Sequence, residues 1–350
     1  MTTDYRFIKA CFSQPVDRTP IWLMRQAGRF MEEYRAVRAK VDFLTLCKSP
    51  ELCTEVTLQP IDKFGLDAAI VFSDILVPIE PMGLKLDFHP APVFEKPVRT
   101  QADVDALRVI EPEADVPFVA ETIKMLRREL ASRNVPLIGF AGAPFTLASY
   151  MVEGGGSKSF LNLKKMMWKE PAIFRSLMEK LTETVIRYLN LQVDAGAQAI
   201  QIFDTWGGVL SPADYLNYVL PYTRRIVQGI KKSPEGEKVP VINFVGNSQG
   251  FLPLVAQAGG EVIGIDWRID IAEARRQVGV KAVQGNMDPI FLLAPIPEIE
   301  KRVKEILAAA GDTGHIFNLG HGIVPETPPD HVKALVDFVH EHGESHRVKN

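Results

Sequence analysis

The sequence contains little of what several protein classes require. Its 350 residues include only three cysteines, Cys11, Cys47 and Cys53, too few for a disulfide framework. No apolar run reaches the ~18 residues of a transmembrane helix. The N-terminal segment lacks the apolar core and the small-residue cleavage site of a signal peptide. These absences predict a cytoplasmic protein that does not associate with a membrane.

The chain also has little net charge. The 40 Lys and Arg residues face 43 Asp and Glu residues, which gives a formal net charge of −3. Binding to nucleic acid or to an anionic membrane favours a clearly basic protein. We therefore expect neither as a partner, and any anion-binding site must be a local basic cluster.

The motifs of metal and nucleotide cofactors are missing as well. No GxGxxG follows the first predicted strand, and no GxxxxGK[ST] loop occurs. The cysteines form no CxxC pair and no cluster with histidine. Cys47 and Cys53 lie on one predicted helix, where their spacing places them on different faces. We expect an activity that needs neither a metal nor an organic cofactor.

The chain does contain a regular alternation of apolar runs and helical patterns, in a composition that is 46% hydrophobic and 24% charged. Near-continuous apolar runs are typical of strands buried on both faces, as in parallel sheets. Alternation of strand and helix eight times predicts one (β/α)8 TIM barrel domain over residues 1–350, with short, less-ordered ends. A doubly wound sheet is the alternative. The predicted strands are residues 20–24, 68–72, 136–141, 199–203, 239–245, 262–265, 281–283 and 315–318.

Helices are predicted over residues 171–195, 212–232 and 289–310, each with Pro at its start. Two segments depart from the alternation. Residues 83–98 alternate as a small hairpin does, and residues 153–160, EGGGSKSF, are typical of a mobile loop before a helix.

Polar residues concentrate where the predicted strands end, the positions from which barrels of this type build their active sites. Arg25 and Arg29 follow the first strand. They could form a solvated helix turn, or they could bind a carboxylate or phosphate through bidentate hydrogen bonds. Residues 25–40 contain five basic and two acidic side chains, which favours the anion site.

Three other residues at strand ends allow two interpretations each. Asp74, a lone carboxylate between apolar runs, could cap a helix or could be a paired group in a pocket. His321 lies between two glycines, where a loop histidine with satisfied hydrogen bonds and a ligand-binding one are both plausible. Tyr150 could belong to the core or could face the site.

Seven long motifs resemble, in order and across almost the whole chain, those of the uroporphyrinogen decarboxylase family. The resemblance implies a (β/α)8 barrel and a homodimer that acts in tetrapyrrole biosynthesis. It implies a cofactor-independent carboxy-lyase that converts the four acetate side chains of uroporphyrinogen III to methyl groups, giving coproporphyrinogen III. The motifs are WLMRQAGRFMEEYRAVR, IVFSDIL, SYMVEGGGSK, QIFDTWGG, IGIDWRIDIAEAR, VQGNMDP and NLGHGI.

The resemblance also implies roles for individual residues. Asp74 is the anion that stabilises a pyrrole-centred cation, and Arg25 lies nearest the reacting acetate. Thr205 stands where many members of the family have Ser, and Gly28 lets the turn approach the macrocycle. Which residue delivers the protons is left open. The implied catalytic residues are Arg25, Asp74, Tyr150 and His321, and the implied substrate-binding residues are Arg25, Gln26, Ala27, Gly28, Arg29, Asp74, Tyr150, Thr205 and His321.

Two other functions fit the same scaffold. Methyltransferases linked to zinc or corrinoid share the barrel superfamily, but they bind zinc through His and Cys near late strand ends, and here all three Cys lie before residue 54. A non-catalytic tetrapyrrole-binding protein is the second alternative. It predicts loss of Asp74 or of the arginine pair, and both are present.

Overall fold

The computed structural model describes residues 4–88 and 91–344. Seven strands form one parallel, curled sheet in the order β1-β4-β5-β6-β7-β8-β9, and the other two pair as an antiparallel hairpin. The strands are β1 Ala69–Ile70, β2 Leu86–Phe88, β3 Pro92–Phe94, β4 Leu137–Gly142, β5 Ala199–Asp204, β6 Val241–Val245, β7 Val262–Gly264, β8 Ala282–Met287 and β9 His315–Leu319.

Helices alternate with the strands of the parallel sheet. Short 3-10 helices occur at Val77–Met82, Gly207–Val209 and Pro289–Leu293. The α-helices are α1 Arg6–Cys11, α2 Glu32–Arg38, α3 Phe43–Lys48, α4 Pro50–Phe64, α5 Gln101–Ala106, α6 Pro112–Asp115, α7 Pro117–Ala131, α8 Pro144–Glu153, α9 Leu161–Lys169, α10 Pro171–Asp194, α11 Pro212–Tyr218, α12 Leu220–Gly229, α13 Leu252–Ala258, α14 Ile271–Val278, α15 Ile296–Ala310 and α16 Pro329–His342.

The strands of the sheet are apolar because both of their faces are buried. Every residue of β4, β5, β6, β8 and β9 is buried, which is the property that the apolar runs predicted. The helices cover the outer face. In α10, for example, Phe174, Leu177, Met178 and Leu181 recur at helical spacing and are all buried. The core therefore lies inside and around the sheet, and the ends of the strands remain free to carry a site.

The first predicted strand, residues 20–24, is not a strand. Ile21 forms an isolated parallel bridge with Phe317 in β9, and the Phe317 amide donates to the Pro20 carbonyl at 2.8 Å. On the other side, the Asp67 amide donates to the Ile21 carbonyl at 2.8 Å. The segment thus lies between β9 and the residues before β1, but without a continuous ladder.

Side chains explain why the ladder is incomplete. The Ile21 amide donates to Asp67 Oδ2 at 2.9 Å, and the Met24 amide donates to Asn318 Oδ1 at 3.1 Å. The Leu23 amide donates to a side chain of the same segment, Gln26 Oε1, at 3.1 Å. Backbone donors that a strand would use for pairing are therefore satisfied by side chains. The prediction of eight strands is confirmed for seven.

Two predicted helices are wrong in their bounds because of proline. Residues 212–232 form α11 and α12, which meet at Val219, and Pro221 lies in the first turn of α12. Residues 289–310 begin with the 3-10 helix, and α15 starts only after Pro295. The helix over residues 171–195 is confirmed as α10.

The single helix predicted to carry Cys47 and Cys53 is also wrong. The two cysteines lie in α3 and α4, and the Ser49 side chain caps α4 by accepting from the Leu52 amide. The Cys53 thiol donates to the Leu46 carbonyl at 3.1 Å. Burial raises the pKa of Cys53 to about 12, so the thiol stays protonated and packs as a small apolar group.

The predicted hairpin is confirmed as β2 and β3, although its turn falls partly outside the described residues. Residues 153–160 join α8 to α9, as predicted, while their mobility stays a prediction. Glu153 fixes the start of α9 by accepting from the Leu163 amide at 2.9 Å and from Asn162 Nδ2 at 3.0 Å. Over residues 4–88 and 91–344, no helix is both long and apolar enough to cross a membrane.

Candidate active site

The carboxyl ends of the parallel strands open into a cavity of about 1000 Å³. Small-molecule sites typically measure ~300–1000 Å³, so the cavity can accept a large ligand. Much of the wall is aromatic, with Phe72, Phe140, Phe203 and Trp206 among its residues. All nine residues predicted to contact substrate line this one cavity: Arg25, Gln26, Ala27, Gly28, Arg29, Asp74, Tyr150, Thr205 and His321.

Arg25 has a left-handed backbone, with φ at 63°. Such a conformation costs a residue with a side chain about 1–3 kcal/mol and is often found at functional sites. Two glycines make room for it. A Cβ on Gly28 would lie 2.8 Å from the Arg25 carbonyl oxygen, and a Cβ on Gly322 would lie 2.3 Å from Arg25 Cδ. The close approach of both positions to Arg25 explains why each is a glycine. That Gly28 also lets the turn approach a ligand stays a prediction.

Two arginines close in sequence, Arg35 and Arg38, donate hydrogen bonds to backbone carbonyls of the protein. Arg35 Nη1 donates to the carbonyls of Arg29 and Phe30 at 2.8 and 3.0 Å, which fixes the turn that carries Arg29. In the part of the chain that the structure describes, the side chains of Arg25 and Arg29 have no hydrogen-bond or ion-pair partner. Both are exposed at the cavity. Two guanidinium groups are therefore free to bind an anion.

Gln26 serves the turn rather than the cavity. Its side chain is only 1% exposed, and its amide group accepts from the Leu23 amide at 3.1 Å and donates to the Ala68 carbonyl at 3.2 Å. Both functions of the side-chain amide are thus occupied. The side chain of Gln26 therefore holds the Arg25 turn in place, and substrate binding by Gln26 stays a prediction.

Asp74 follows β1 and lines the cavity. Its Oδ1 accepts from the Leu76 amide at 2.8 Å, just before the 3-10 helix Val77–Met82. Oδ2 has no hydrogen-bond partner among the residues described. Burial raises the pKa of Asp74, while the Leu76 amide and the charge of Arg25 oppose that rise. One carboxylate oxygen is therefore available to a ligand.

Tyr150 lies in α8, next to Trp206 in the loop after β5. The two rings meet edge to face with centroids 6.3 Å apart. Burial raises the pKa of Tyr150, although a hydrogen bond with Trp206 and the charge of Arg25 act in the other direction. Asp74 also contributes to the shift, so its carboxylate is within electrostatic reach of the phenol. The tyrosine stays protonated near neutral pH and can donate a hydrogen bond.

His321 follows β9 and lies near Arg25. Burial, together with the charge of Arg25, lowers its pKa to about 4. The imidazole is therefore neutral near pH 7. A carboxylate that His321 binds would be held by an N–H hydrogen bond rather than by a second charge.

Comparisons with known proteins agree with this site. A sequence model described as uroporphyrinogen decarboxylase (URO-D) matches residues 2–342. A protein of Trichlorobacter lovleyi and one of Geobacter sulfurreducens, each named uroporphyrinogen decarboxylase, are both 59% identical to this chain over 96% of its length and 98% of theirs. The chain belongs to the uroporphyrinogen decarboxylase family. The resemblance found in the sequence is thereby confirmed.

Within the solved structures, a methyltransferase from Methanosarcina mazei superimposes on the chain with a TM-score of 0.80. The two are 24% identical, and the match covers 96% of this chain and 97% of the other. At this identity the likeness indicates a common fold alone.

Zinc ligation of the kind considered for the sequence has no candidate here, because no group of three or more His, Cys, Asp or Glu residues in the described ranges could hold a metal ion.

Several cavity residues of this family member were missed by the sequence reasoning. Phe140 lies in β4 and Phe203 in β5, and the centroids of their rings are 5.6 Å apart. In the sequence they look like any other apolar strand residue, and only the alternation of strand faces could have separated them. Arg38 was counted in the basic segment but not singled out; in the structure its guanidinium lies 5.7 Å from the centroid of the Phe43 ring.

Proposed function

We propose that this protein removes the carboxyl groups from the four acetate side chains of uroporphyrinogen III and releases coproporphyrinogen III, a step of tetrapyrrole biosynthesis. The observation that carries the proposal is an aromatic cavity lined by two guanidinium groups, Arg25 and Arg29, and by one carboxylate, Asp74. Among the described residues, neither guanidinium has a partner and one Asp74 oxygen accepts no hydrogen bond. Such a cavity suits a large macrocycle with carboxylates at its rim and N–H groups at its centre.

Binding follows from charge and shape. The substrate has eight carboxylates, and the cavity offers Arg25 and Arg29 as fork-shaped donors without competing acidic partners. Neutral His321 adds an N–H donor. Aromatic side chains, including Phe140 and Phe203, contact the apolar faces of the macrocycle. Thr205 supplies a hydroxyl at the mouth of the cavity.

Decarboxylation needs a place for the electron pair of the breaking bond. Protonation of a pyrrole ring carbon creates a cation. The bond between the acetate methylene and its carboxyl group then breaks, its electron pair neutralises the cation, and carbon dioxide leaves. A second proton, added to the resulting exocyclic methylene, gives the methyl group, and the first proton then leaves the ring carbon, which restores the aromatic pyrrole. Asp74, fixed by the Leu76 amide, stabilises the cation through its free oxygen.

Arg25 lies nearest the reacting acetate in the proposed complex, and the phenol of Tyr150 is protonated and within electrostatic reach of Asp74. The proposed reaction uses neither a metal nor an organic cofactor, because the pyrrole ring accepts the electrons itself.

We further propose that residues 1–350 form one domain whose sheet is closed by residues 20–24 into an eight-stranded barrel. The hydrogen bonds of this segment to Phe317 on one side and to Asp67 on the other support closure. The proposal also includes a homodimer, as the family resemblance implies, and a cytoplasmic location, as the sequence predicts.

The test is direct. Uroporphyrinogen III is incubated with the pure protein under reducing conditions, the products are oxidised to porphyrins, and their carboxylates are counted by mass. Successive loss of four carboxyl groups is expected, with and without prior dialysis against a chelator. Unchanged substrate would contradict the proposal, and decarboxylation that returns only with zinc would contradict the metal-free reaction. Stoichiometric zinc in the purified protein would favour the methyltransferase alternative.

A further inference from the structure

The loop after β5 contains a buried hydrogen-bonded set that the proposed function does not use. Thr146 Oγ1 lies 2.7 Å from Asp204 Oδ1, and the Trp206 amide donates to Thr146 Oγ1 at 3.1 Å. Thr146 and Asp204 have no exposed surface. We refer to Thr146, Asp204 and the Trp206 amide as the Thr146 bridge.

The donors of this bridge can be assigned from chemistry alone. The Trp206 amide can only donate, so Thr146 Oγ1 accepts from it, and the single hydroxyl proton of Thr146 is left for Asp204 Oδ1. The second oxygen of Asp204 is buried and has no partner among the described residues. Burial raises the pKa of Asp204 to about 6, and Thr146 opposes that rise. Thr146 is thus the residue that stabilises the Asp204 carboxylate through hydrogen bonding.

The glycines of the FDTWGG motif fit around this bridge. A Cβ on Gly207 would lie 2.8 Å from Asp204 Oδ2, and a Cβ on Gly208 would lie 2.1 Å from the Gly246 carbonyl oxygen. The loop therefore folds tightly over Asp204 and against the end of β6. Any slip of this loop would displace the two cavity residues that it carries, Thr205 and Trp206.

The same bridge also holds α8. Thr146 lies in the first turn of α8, and Tyr150 follows it by four residues, so both lie on one face of the helix. Tyr150 packs against the Trp206 ring, with centroids 6.3 Å apart. The backbone and the ring of Trp206 thus contact α8 one turn apart.

We propose that Thr146 and Asp204 are positioning residues that set the place of the Tyr150 hydroxyl and of Thr205 in the cavity. Neither of the two touches the cavity; they act through α8 and the loop of residues 205–208. This inference rests on the proposed function for the activity of Tyr150, but the bridge itself is tested independently.

The main variant is Thr146→Val, which keeps the shape of the side chain and removes the hydroxyl. We expect it to lower kcat about 10-fold with a change in KM below about 3-fold, because a misplaced Tyr150 affects the reacting complex more than binding. Thr146→Ser retains the hydroxyl and should restore kcat to near the wild-type value. Thr182→Val is the matched control: Thr182 is equally buried, donates to Met178 within α10, and should leave kcat unchanged.

A double-mutant cycle separates positioning from general destabilisation. In a Tyr150→Phe background, Thr146→Val should lower kcat by less than about 3-fold, because the Tyr150 hydroxyl is already absent and only the displacement of Thr205 remains. Equal losses of kcat in both backgrounds would overturn the positioning role. If Thr146→Val does not fold, Thr146→Ala provides the same comparison.

Hydrogen exchange of the Trp206 amide tests the bridge without the reaction. Its exchange rate should rise at least about 10-fold in Thr146→Val and stay at the wild-type value in Thr146→Ser. An unchanged rate in Thr146→Val would overturn the bridge. Wild-type protein that fails to decarboxylate uroporphyrinogen III would instead overturn the proposed function, and the exchange result would still decide the bridge.

Discussion

Two aspartates on either side of β1 have opposite surroundings. Asp67, before the strand, accepts from the Ile21 amide at 2.9 Å and from Arg6 Nη1 at 2.8 Å. It also accepts from His340 Nε2 at 2.8 Å, and Arg18 Nη2 lies 3.4 Å away. Asp67 is thus surrounded by cationic and hydrogen-bond-donating partners. This Asp67 cluster ties the segment of residues 20–24 and the last helix, α16, to the start of β1.

Asp74, after the strand, has one amide as its partner, and the nearby Arg25 has no ion pair among the residues described. The same types of side chain therefore do different things at the two ends. Where cations and carboxylates are paired, they hold chain segments together. Where they stand apart around a cavity, they are available to a ligand, a pattern that is typical of functional sites.

The pKa values follow the same contrast. Burial opposes ionisation of both carboxyl groups. At Asp67, His340, the Ile21 amide and Arg6 outweigh burial and lower the pKa. At Asp74, burial outweighs the Leu76 amide and Arg25, and the pKa rises. Ionisation of Asp67 thus raises the free energy of unfolding, whereas ionisation of Asp74 lowers it.

The largest expected effect is on turnover, at Asp74. Asp74→Asn keeps an acceptor for the Leu76 amide but loses the negative charge, so the fold should persist while kcat falls by about 10²-fold or more, the scale of losing one preorganised electrostatic group. Steady-state kinetics with uroporphyrinogen III measure it, and thermal melts verify folding. Near-normal turnover would remove Asp74 from its proposed role.

At the opposite end, Asp67→Asn should reverse the pattern. Loss of the charge weakens the interactions of Arg6, Arg18 and His340 with this side chain, although Arg6 keeps its ion pair with Asp17. We expect the free energy of unfolding to fall by about 2 kcal/mol, less than for a fully buried pair because Arg6 and Arg18 are partly exposed. Urea unfolding measures the change. At a temperature where the variant is folded, kcat should remain near that of the wild type; a large loss of kcat would show that the two ends are not independent.

Lysine substitutions sharpen the contrast within the cavity. Lysine keeps the charge of Arg25 or Arg29 but loses the bidentate fork. Arg29→Lys should mainly raise KM, and Arg25→Lys should lower kcat as well, each by about 10-fold, the scale of one charge-assisted hydrogen bond. Arg128→Lys, at an exposed position of α7, is the matched control and should be silent. Wild-type kinetics in both cavity variants would indicate that Arg25 and Arg29 form a solvated turn and do not bind substrate.

The two ends also differ in what a sequence can predict. Asp74, Arg25 and His321 could be singled out because each follows an apolar run, and the end of a strand is where barrels place their sites. The seven strands could be predicted because burial on both faces leaves an apolar run. Both signals are local.

The Asp67 cluster and the Thr146 bridge join residues that are distant in sequence. Asp67 and His340 are 273 positions apart, and Thr146 and Asp204 are 58 apart. Nothing in the residues around them indicates the pairing, because a buried threonine or a single aspartate is common in any strand or turn. The missing first strand has the same cause, since Asp67 and Asn318 replace its ladder partners.

The smallest expected effect, and the most specific one, is a difference in sign between two pH profiles of stability. Asp67 has a lowered pKa in the fold, so its charge stabilises the protein above the ordinary value of 3.8, and this contribution is lost as the pH falls through the folded pKa. Asp74 has a raised pKa, so its charge costs stability at neutral pH, and that cost disappears as the pH falls through the raised pKa toward 3.8. Wild type should therefore be more stable than Asp67→Asn and slightly less stable than Asp74→Asn near pH 7. Both differences should shrink on acidification, the Asp74 difference at the higher pH.

Urea unfolding of the three proteins in steps from pH 7 to the lowest pH at which they fold measures the profiles. Differences of the same sign at both aspartates would mean that Asp74 is stabilised by its surroundings as Asp67 is, and the contrast between a paired and an available carboxylate would fail.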